Sequence, residues 1–317
     1  MYRAVVIGLG RIGSSYPSSK IPRTHVEAYL KNKRVKLVAG VDPDNKARKN
    51  FLNKWGKNLT VFSNVETMLS KIQPDIVSIC VPTSSLISVV EHFSKKLPKL
   101  FFLEKPVIVD YNHSKSLIRA INKIPTAVNY HRCWDPSHIN FFNQIQKSRK
   151  IISIRVAYNG GMFNNSSHII ALLVKNFGKV SNVRKLDMQT HNLKNTDPSF
   201  SFILDFKCGF HAIFQGFDVV KYDLLELEMT TGSGIYSIKS GGCRKRLEKP
   251  KKNAFYPNYN HLIDAPYSIL DGQVEGLPQA VKNIVNFLDG KDKSLLCDLT
   301  VSLEVSKIMT DVYNKLK

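Results

Sequence analysis

Short apolar blocks separated by polar, amphipathic stretches mark the first 129 residues. Residues 2–7, 35–41, 74–81 and 99–103 are such blocks. Continuous apolar runs of this length, bounded by turn signals, predict strands buried on both faces. Helical spacing at 86–97 and 110–123 falls between them, and 125–129 reads as a short closing strand. Alternation of strand and helix predicts a parallel sheet with helices on both faces.

The rhythm then changes. A helix at 136–147 and a strand at 151–158 precede the apolar run 169–174, which suits a buried helix. Residues 180–190, 200–207, 210–217, 224–230 and 234–239 follow as strands with no helix between them, and helices at 273–288 and 299–316 close the chain. Strands in succession predict an antiparallel sheet. The boundary belongs near 125–130, and ligands are expected where the two halves face each other.

Composition narrows this picture. A chain of 317 residues accommodates two domains with cores of their own. Hydrophobic residues at 43% and charged residues at 22% describe a globular protein. No apolar run approaches the roughly 20 residues a membrane helix needs, so no membrane partner is expected. The first apolar block runs straight into a glycine motif, which argues against a signal peptide. Five Cys without a CxxC pair predict reduced thiols and a cytoplasmic protein. Cys208 with His211, and His131 with Cys133, lack a second pair at zinc spacing, so no metal is expected.

The formal charge of +21 raises the question of nucleic acid. The lysines are spread along the whole chain, however, and no nucleic-acid-binding signature interrupts the α/β pattern; no nucleic-acid partner is expected. The densest cluster, at 244–252, reads as a solvated loop flanked by Gly and Pro. Such charge favours anionic small molecules.

Three segments carry candidate chemistry. Gly8-Leu9-Gly10-Arg11-Ile12-Gly13 follows the first strand at once. GxGxxG there supplies a tight turn, a close backbone approach to a pyrophosphate and room for helix–strand packing. The second strand ends in Asp42, an acceptor for adenosine ribose hydroxyls that would repel a 2′-phosphate. NAD is therefore expected over NADP. Gly13 lies 29 residues before Asp42, beyond the usual spacing of about 20. The Ser- and Pro-rich stretch 14–23 accounts for the excess as a loop interrupting the first helix.

Glu104-Lys105-Pro106 follows the strand 99–103, at a carboxyl end where ligands of open α/β sheets sit. A Lys shielded from water there can relay a proton, and Pro106 stops the strand behind it. The third segment is 159–168, in which Asn164 lies four residues before His168. Both can share one face if a helix starts near Asn164.

Together these motifs resemble the glucose–fructose oxidoreductase/inositol dehydrogenase (Gfo/Idh/MocA) family. The resemblance also takes in Val81-Pro82-Thr83 and Asn129-Tyr130-His131-Arg132, and runs through nearly the whole chain. It implies an α/β protein with a Rossmann domain at 1–127 and an α+β domain at 128–317, the latter with a large, mostly antiparallel open sheet. It implies Lys105 and His168 as the catalytic pair. Gly8, Gly10, Arg11, Ile12, Gly13, Asp42, Pro82, Thr83, Glu104, Lys105 and Asn129 would hold NAD; Asn164, Arg132 and Tyr158 would meet substrate.

Within this resemblance His168 is the expected base for a sugar hydroxyl, with Lys105 steadying the developing alkoxide. Glu104 orients Lys105 or the cofactor. Asn129 suits the nicotinamide amide, and Arg132 a substrate phosphate or carboxylate. Position 164 is commonly Asp in the family; Asn appears in members acting on nucleotide sugars in surface-polysaccharide pathways. An anionic sugar is thus the expected substrate, and homo-oligomers through the C-terminal sheet are expected. The alternatives are a dehydrogenase of free sugars or inositols and a non-catalytic NAD-binding sensor.

Overall fold

The computed structural model describes residues 1–18, 20–111, 114–146, 150–186, 197–218, 221–265 and 275–316. It divides into two compact units, Met1–Trp134 with Glu275–Ser306, and Asp135–Val274 with Lys307–Lys317.

The first unit alternates as its pattern demands. In order come β1 (Tyr2–Ile7), α1 (His25–Leu30), β2 (Val35–Val41), α2 (Asn45–Trp55), β3 (Thr60–Phe62) and α3 (Val65–Lys71). β4 (Ile76–Ile79), α4 (Thr83–Glu91), β5 (Leu100–Leu103), α5 (Lys115–Ile121) and β6 (Thr126–Val128) follow. The six strands are all parallel, in the order β3-β2-β1-β4-β5-β6. Every side chain of β4, β5 and β6 is buried, as a sheet covered on both faces requires. The order reverses beside β1, and the crevice at such a switch point is where open α/β sheets take ligands.

The second unit builds a different sheet. α6 (Pro136–Gln146), β7 (Ile151–Tyr158) and α7 (Ser167–Phe177) lead into β8 (Val180–Lys185), β9 (Phe202–Phe206) and β10 (His211–Gly216). β11 (Leu225–Thr231), β12 (Gly234–Lys239), β13 (Arg244–Lys252) and β14 (Asn260–Asp264) extend it. Its order is β14-β13-β12-β11-β7-β10-β9-β8, antiparallel except for the parallel pair β7–β10. Burial alternates along β9 and β11, so one face carries the core. There Phe202 stacks on Phe214 with ring centroids 4.7 Å apart; each such buried ring contributes about 1.5–3 kcal/mol. α8 (Gly276–Leu288) and α9 (Leu299–Leu316) complete the chain, α9 passing from the first unit into the second.

One segment departs from its sequence pattern. Residues 244–252, expected as a solvated loop, form β13, paired with β12 and β14. Nine residues with one non-proline apolar position, Leu247, carry little strand signal of their own. Pairing with β12 supplies the register, and Leu247 is buried beneath it. Parts of several expected elements, at 112–113, 147, 187–190 and 273–274, lie outside the described residues. Among the described residues no helix is long and apolar enough to cross a membrane.

Candidate functional site

The loop after β1 is built by its glycines. Gly8 has φ +89°, and a Cβ there would lie 2.6 Å from the Cys80 carbonyl oxygen. A Cβ on Gly13 would lie 2.0 Å from the Gly8 oxygen, so the turn closes only without side chains at both places. A Cβ on Gly10, by contrast, would meet nothing within 4 Å. The second glycine is therefore not demanded by the fold, which fits its expected purpose of admitting a ligand close to backbone.

The turn is wide. The Gly10 carbonyl accepts from Ser14 N at 2.9 Å and Ser15 N at 3.0 Å, and the Arg11 carbonyl from Tyr16 N at 3.0 Å. Helical structure resumes at α1 behind a capping box, in which Thr24 Oγ1 accepts from Glu27 N and Glu27 Oε2 accepts from Thr24 N, each at 3.1 Å. The stretch 14–23, expected to interrupt the first helix, thus begins inside this turn and ends at the Thr24 cap. Arg11 is exposed, its guanidinium 4.7 Å from the Tyr16 ring centroid, and Ile12 is half-buried.

Asp42 closes the other side. Its Oδ2 accepts from Leu9 N and its Oδ1 from Asp44 N, both at 2.8 Å. A carboxylate offers about four lone-pair sites, so two remain for ribose hydroxyls. Arg48 donates to the Asp42 and Pro43 carbonyls at 2.7 and 2.8 Å. A cavity of about 460 Å³ is lined by Gly8, Gly10, Asp42, Pro82, Ser85 and His92, among others. This open glycine, acidic acceptor and cavity at a switch point fit a dinucleotide. A second cavity of about 440 Å³, near Lys123, Phe287, Lys293 and Asp298, contains none of the motif residues.

At the end of β5, Glu104 gathers side chains from distant parts of the unit. Its Oε1 accepts from Asn129 Nδ2 at 2.6 Å and meets His25 Nε2 at 2.8 Å. Lys105 N donates to its Oε2 at 3.3 Å. Thr83 Oγ1, in the first turn of α4, donates to the Pro106 carbonyl at 2.7 Å. The Pro82–Thr83 turn and the 104–106 loop are thereby joined. Lys105 itself is half-buried. Burial first, and then the nearby charge of Glu104, push the Cys80 thiol up from its ordinary value. Asn129, after β6, is 4% exposed. Arg132 is buried in the next turn, with its Nη1 3.3 Å from His131 Nε2.

In the second unit Gly160 and Gly161 adopt φ of +71° and +94° and start the segment that carries Asn164 and His168. A turn at Met162–Ser166 runs directly into α7, preserving the four-residue offset between them. Asn164 is exposed and donates to the Gly160 carbonyl at 3.3 Å; His168 is 5% exposed. Tyr158 is fully buried, its hydroxyl donating to the Phe200 carbonyl at 2.6 Å. A hydroxyl so engaged is a core group, against the substrate contact expected of it.

Two residues escaped sequence reasoning. Asp197 accepts from Phe163 N at 2.8 Å and Asn164 N at 2.9 Å, placing a carboxylate beside Asn164. His25 supplies the imidazole beside Glu104. A signal for it existed: Ser78 is a polar residue inside a fully buried strand and must find a partner. Among the described residues no cluster of His, Cys, Asp and Glu is arranged to hold a metal, and none of the five cysteines is in a disulfide.

Comparison with known proteins agrees with this geometry. Residues 2–130 match the family model GFO_IDH_MocA, an oxidoreductase family with an NAD-binding Rossmann fold. No curated protein sequence matches the chain. Among solved structures, UDP-N-acetylglucosamine 3-dehydrogenase GnnA from Acidithiobacillus ferrooxidans aligns with a TM-score of 0.76 at 15% identity, over 98% of this chain and 96% of that one. The WlbA dehydrogenase from Bordetella pertussis, in complex with NADH and UDP-GlcNAcA, aligns with a TM-score of 0.75 at 15% identity, over 99% and 95%. A super-repressor mutant of Gal80p from Saccharomyces cerevisiae gives 0.77 at 15%, over 99% and 95%. At these identities the likeness is one of fold.

Proposed function

We propose that the protein, whose residues 2–130 match the Gfo/Idh/MocA family model with its NAD-binding Rossmann fold, is an NAD-dependent oxidoreductase of that family acting on a ring carbinol of a nucleotide-diphosphate sugar. The simplest candidate is a UDP-linked hexosamine or its uronic acid. NAD, when bound, supplies the hydride acceptor. His168 serves as the base that takes the carbinol proton, and Lys105 as the cation that steadies charge developing on its oxygen. Glu104 holds Lys105 from its backbone side, and the Asn129 amide meets the nicotinamide carboxamide. Arg132 offers a planar fork to phosphate or carboxylate.

The observation that carries the substrate choice is Asn164. An amide there binds a sugar by hydrogen bonds and cannot take a proton, unlike the Asp of free-sugar members of the family. The net charge of +21 supports an anionic substrate. So does the naming of UDP sugars with two proteins of this fold. Self-association through the eight-stranded sheet and a reducing, cytoplasmic setting belong to the same reading.

The test is an NAD-reduction screen of UDP-, GDP- and dTDP-sugars beside free hexoses and inositols, at two salt concentrations. Turnover of a nucleotide sugar, with apparent affinity falling as salt rises, is the expected result. Turnover confined to neutral sugars, without a salt effect, overturns the substrate class. A second reading, a dinucleotide sensor, draws on the Gal80p fold likeness; turnover of any sugar in the screen removes it.

A further inference from the structure

Behind Glu104 runs a buried chain of side chains that the proposed chemistry does not use. Tyr29 Oη lies 2.5 Å from Ser78 Oγ, and Ser78 Oγ lies 2.8 Å from His25 Nδ1. His25 Nε2 lies 2.8 Å from Glu104 Oε1, which also accepts from Asn129 Nδ2 at 2.6 Å. Tyr29, Ser78 and His25 are all fully buried, and the His25 ring rests against Phe102 with centroids 4.4 Å apart.

The chemistry of the members gives the chain a direction. A carboxylate only accepts, so His25 Nε2 carries a proton towards Glu104. Burial raises the Tyr29 pKa above its ordinary value, so its phenol keeps its proton and donates to Ser78. Ser78 then donates to His25 Nδ1, and each donor meets one acceptor. At the far end the same carboxylate claims the amino group of Asn129. The amide oxygen, Oδ1, is left buried with no hydrogen-bond partner among the described residues. A buried acceptor in that state is uncommon and calls for a donor.

We propose that His25 is a positioning residue for the cofactor: by holding Glu104 it fixes the Asn129 amide with its amino group engaged and its oxygen left to accept, so that the site selects a carboxamide over a carboxylate on the pyridine ring. A carboxamide brings an N–H to Asn129 Oδ1; a carboxylate brings a second acceptor. This inference rests on the reading of Asn129 as the nicotinamide contact.

Binary binding tests it without turnover. Dissociation constants are measured for NAD, for its carboxylate analogue (nicotinic acid adenine dinucleotide) and for ADP-ribose, which lacks the pyridine. The wild-type protein prefers NAD over the carboxylate analogue by ~10-fold or more, since a buried polar group rejects a partner of the wrong kind. His25→Leu binds ADP-ribose normally but lets that preference fall below ~3-fold. His25→Gln keeps an N–H for Glu104 and keeps the preference.

A His25→Leu protein that binds ADP-ribose and discriminates like wild type overturns the proposal. So does a His25→Gln protein that loses discrimination as fully as His25→Leu. Should His25→Leu lose ADP-ribose binding, Ser78→Ala decides, because it cuts the chain with the loss of one oxygen. Reduced preference with ADP-ribose binding intact supports the chain, and unchanged preference overturns it. Failure of the parent reading looks different: the wild-type protein itself would fail to distinguish the two dinucleotides.

Discussion

Two acids hold the two segments on which the proposed chemistry rests, and they do so by different means. Glu104, in the first unit, grips two side chains at short range, the His25 imidazole and the Asn129 amide, beside a longer bond from the Lys105 N–H. Asp197, in the second, grips backbone: the N–H groups of Phe163 and Asn164. A carboxylate bonded to side chains passes its own position on to their orientation. One bonded to backbone sets the course of the chain and leaves the side chains to the geometry of the helix that follows. The first arrangement suits fine recognition of a fixed cofactor. The second holds the backbone and places no demand on the side chains that it carries.

The largest effect expected from this comparison lies in turnover. Lys105→Met keeps most of the stem and removes the charge, so NAD still binds while kcat falls by at least ~10²-fold. His168→Gln removes the proton acceptor and falls at least as far. Near-native turnover in either variant would take that residue out of the chemistry. The comparison would then concern two structural acids only.

Next in size is the adenosine end. Asp42→Ala is expected to weaken NAD binding by about 1–3 kcal/mol, the range for hydrogen bonds to a charged group. Titration of both dinucleotides against the wild-type protein checks the basis of this expectation. Tighter binding of NADP would mean that Arg48, not Asp42, governs that end.

Asp197→Ala should act on stability rather than on the cofactor. It strips two backbone N–H groups of a charged acceptor, but Asn164 is exposed and water can replace part of the loss. A decrease of about 1–2 kcal/mol in urea unfolding, with ADP-ribose affinity unchanged, is expected. Asp197→Asn, which keeps one acceptor, should recover part of it. A loss of ADP-ribose affinity would contradict the separation drawn between the two acids.

The same contrast decides what was legible in the sequence. Glu104, Lys105 and Asn129 were visible because each follows a short apolar strand, and strand ends of a parallel sheet converge. GxGxxG was visible because its steric demands are local, as the close approach of Gly13 to the Gly8 carbonyl bears out. His25 was hidden by the inserted loop before it and by partners 53 and 79 residues away. Asp197 was hidden because a bond to backbone places no demand on the residue types it holds. β13 was hidden for a third reason: its pattern is polar, and the neighbouring strands supply the register.

The smallest effect expected is a pH dependence at the rim of the second sheet, and there the relation between the units reverses. Asp205 in β9 accepts from Arg184 Nε at 2.9 Å and Nη2 at 2.8 Å, and meets His211 Nδ1 at 2.7 Å, tying β8, β9 and β10 through side chains. The Arg184 guanidinium holds the Asp205 carboxyl below its ordinary value of 3.8, against the opposing effect of burial. In the first unit burial pushes Asp75 up, but the Arg3 N–H at 2.8 Å and the Lys99 ammonium outweigh it and leave that carboxyl lowered too. A carboxyl with a depressed folded-state pKa contributes stability above its unfolded value and loses it as pH falls through the folded one. Both clips should therefore weaken on acidification from about pH 6 to about pH 3. They should differ in salt: the Asp205 clip rests on the exposed Arg184 and His211 side chains and is screened, whereas the Asp75 clip keeps its backbone bond. Hydrogen exchange of β8 and β1 amides, at the two pH values and at low and high salt, separates them. Protection of β8 should fall with acid and with salt, that of β1 with acid far more than with salt, and Asp205→Asn should abolish both responses in β8. Equal salt sensitivity in the two strands would show that the kind of partner an acid grips does not govern its response, at the rims or at the site.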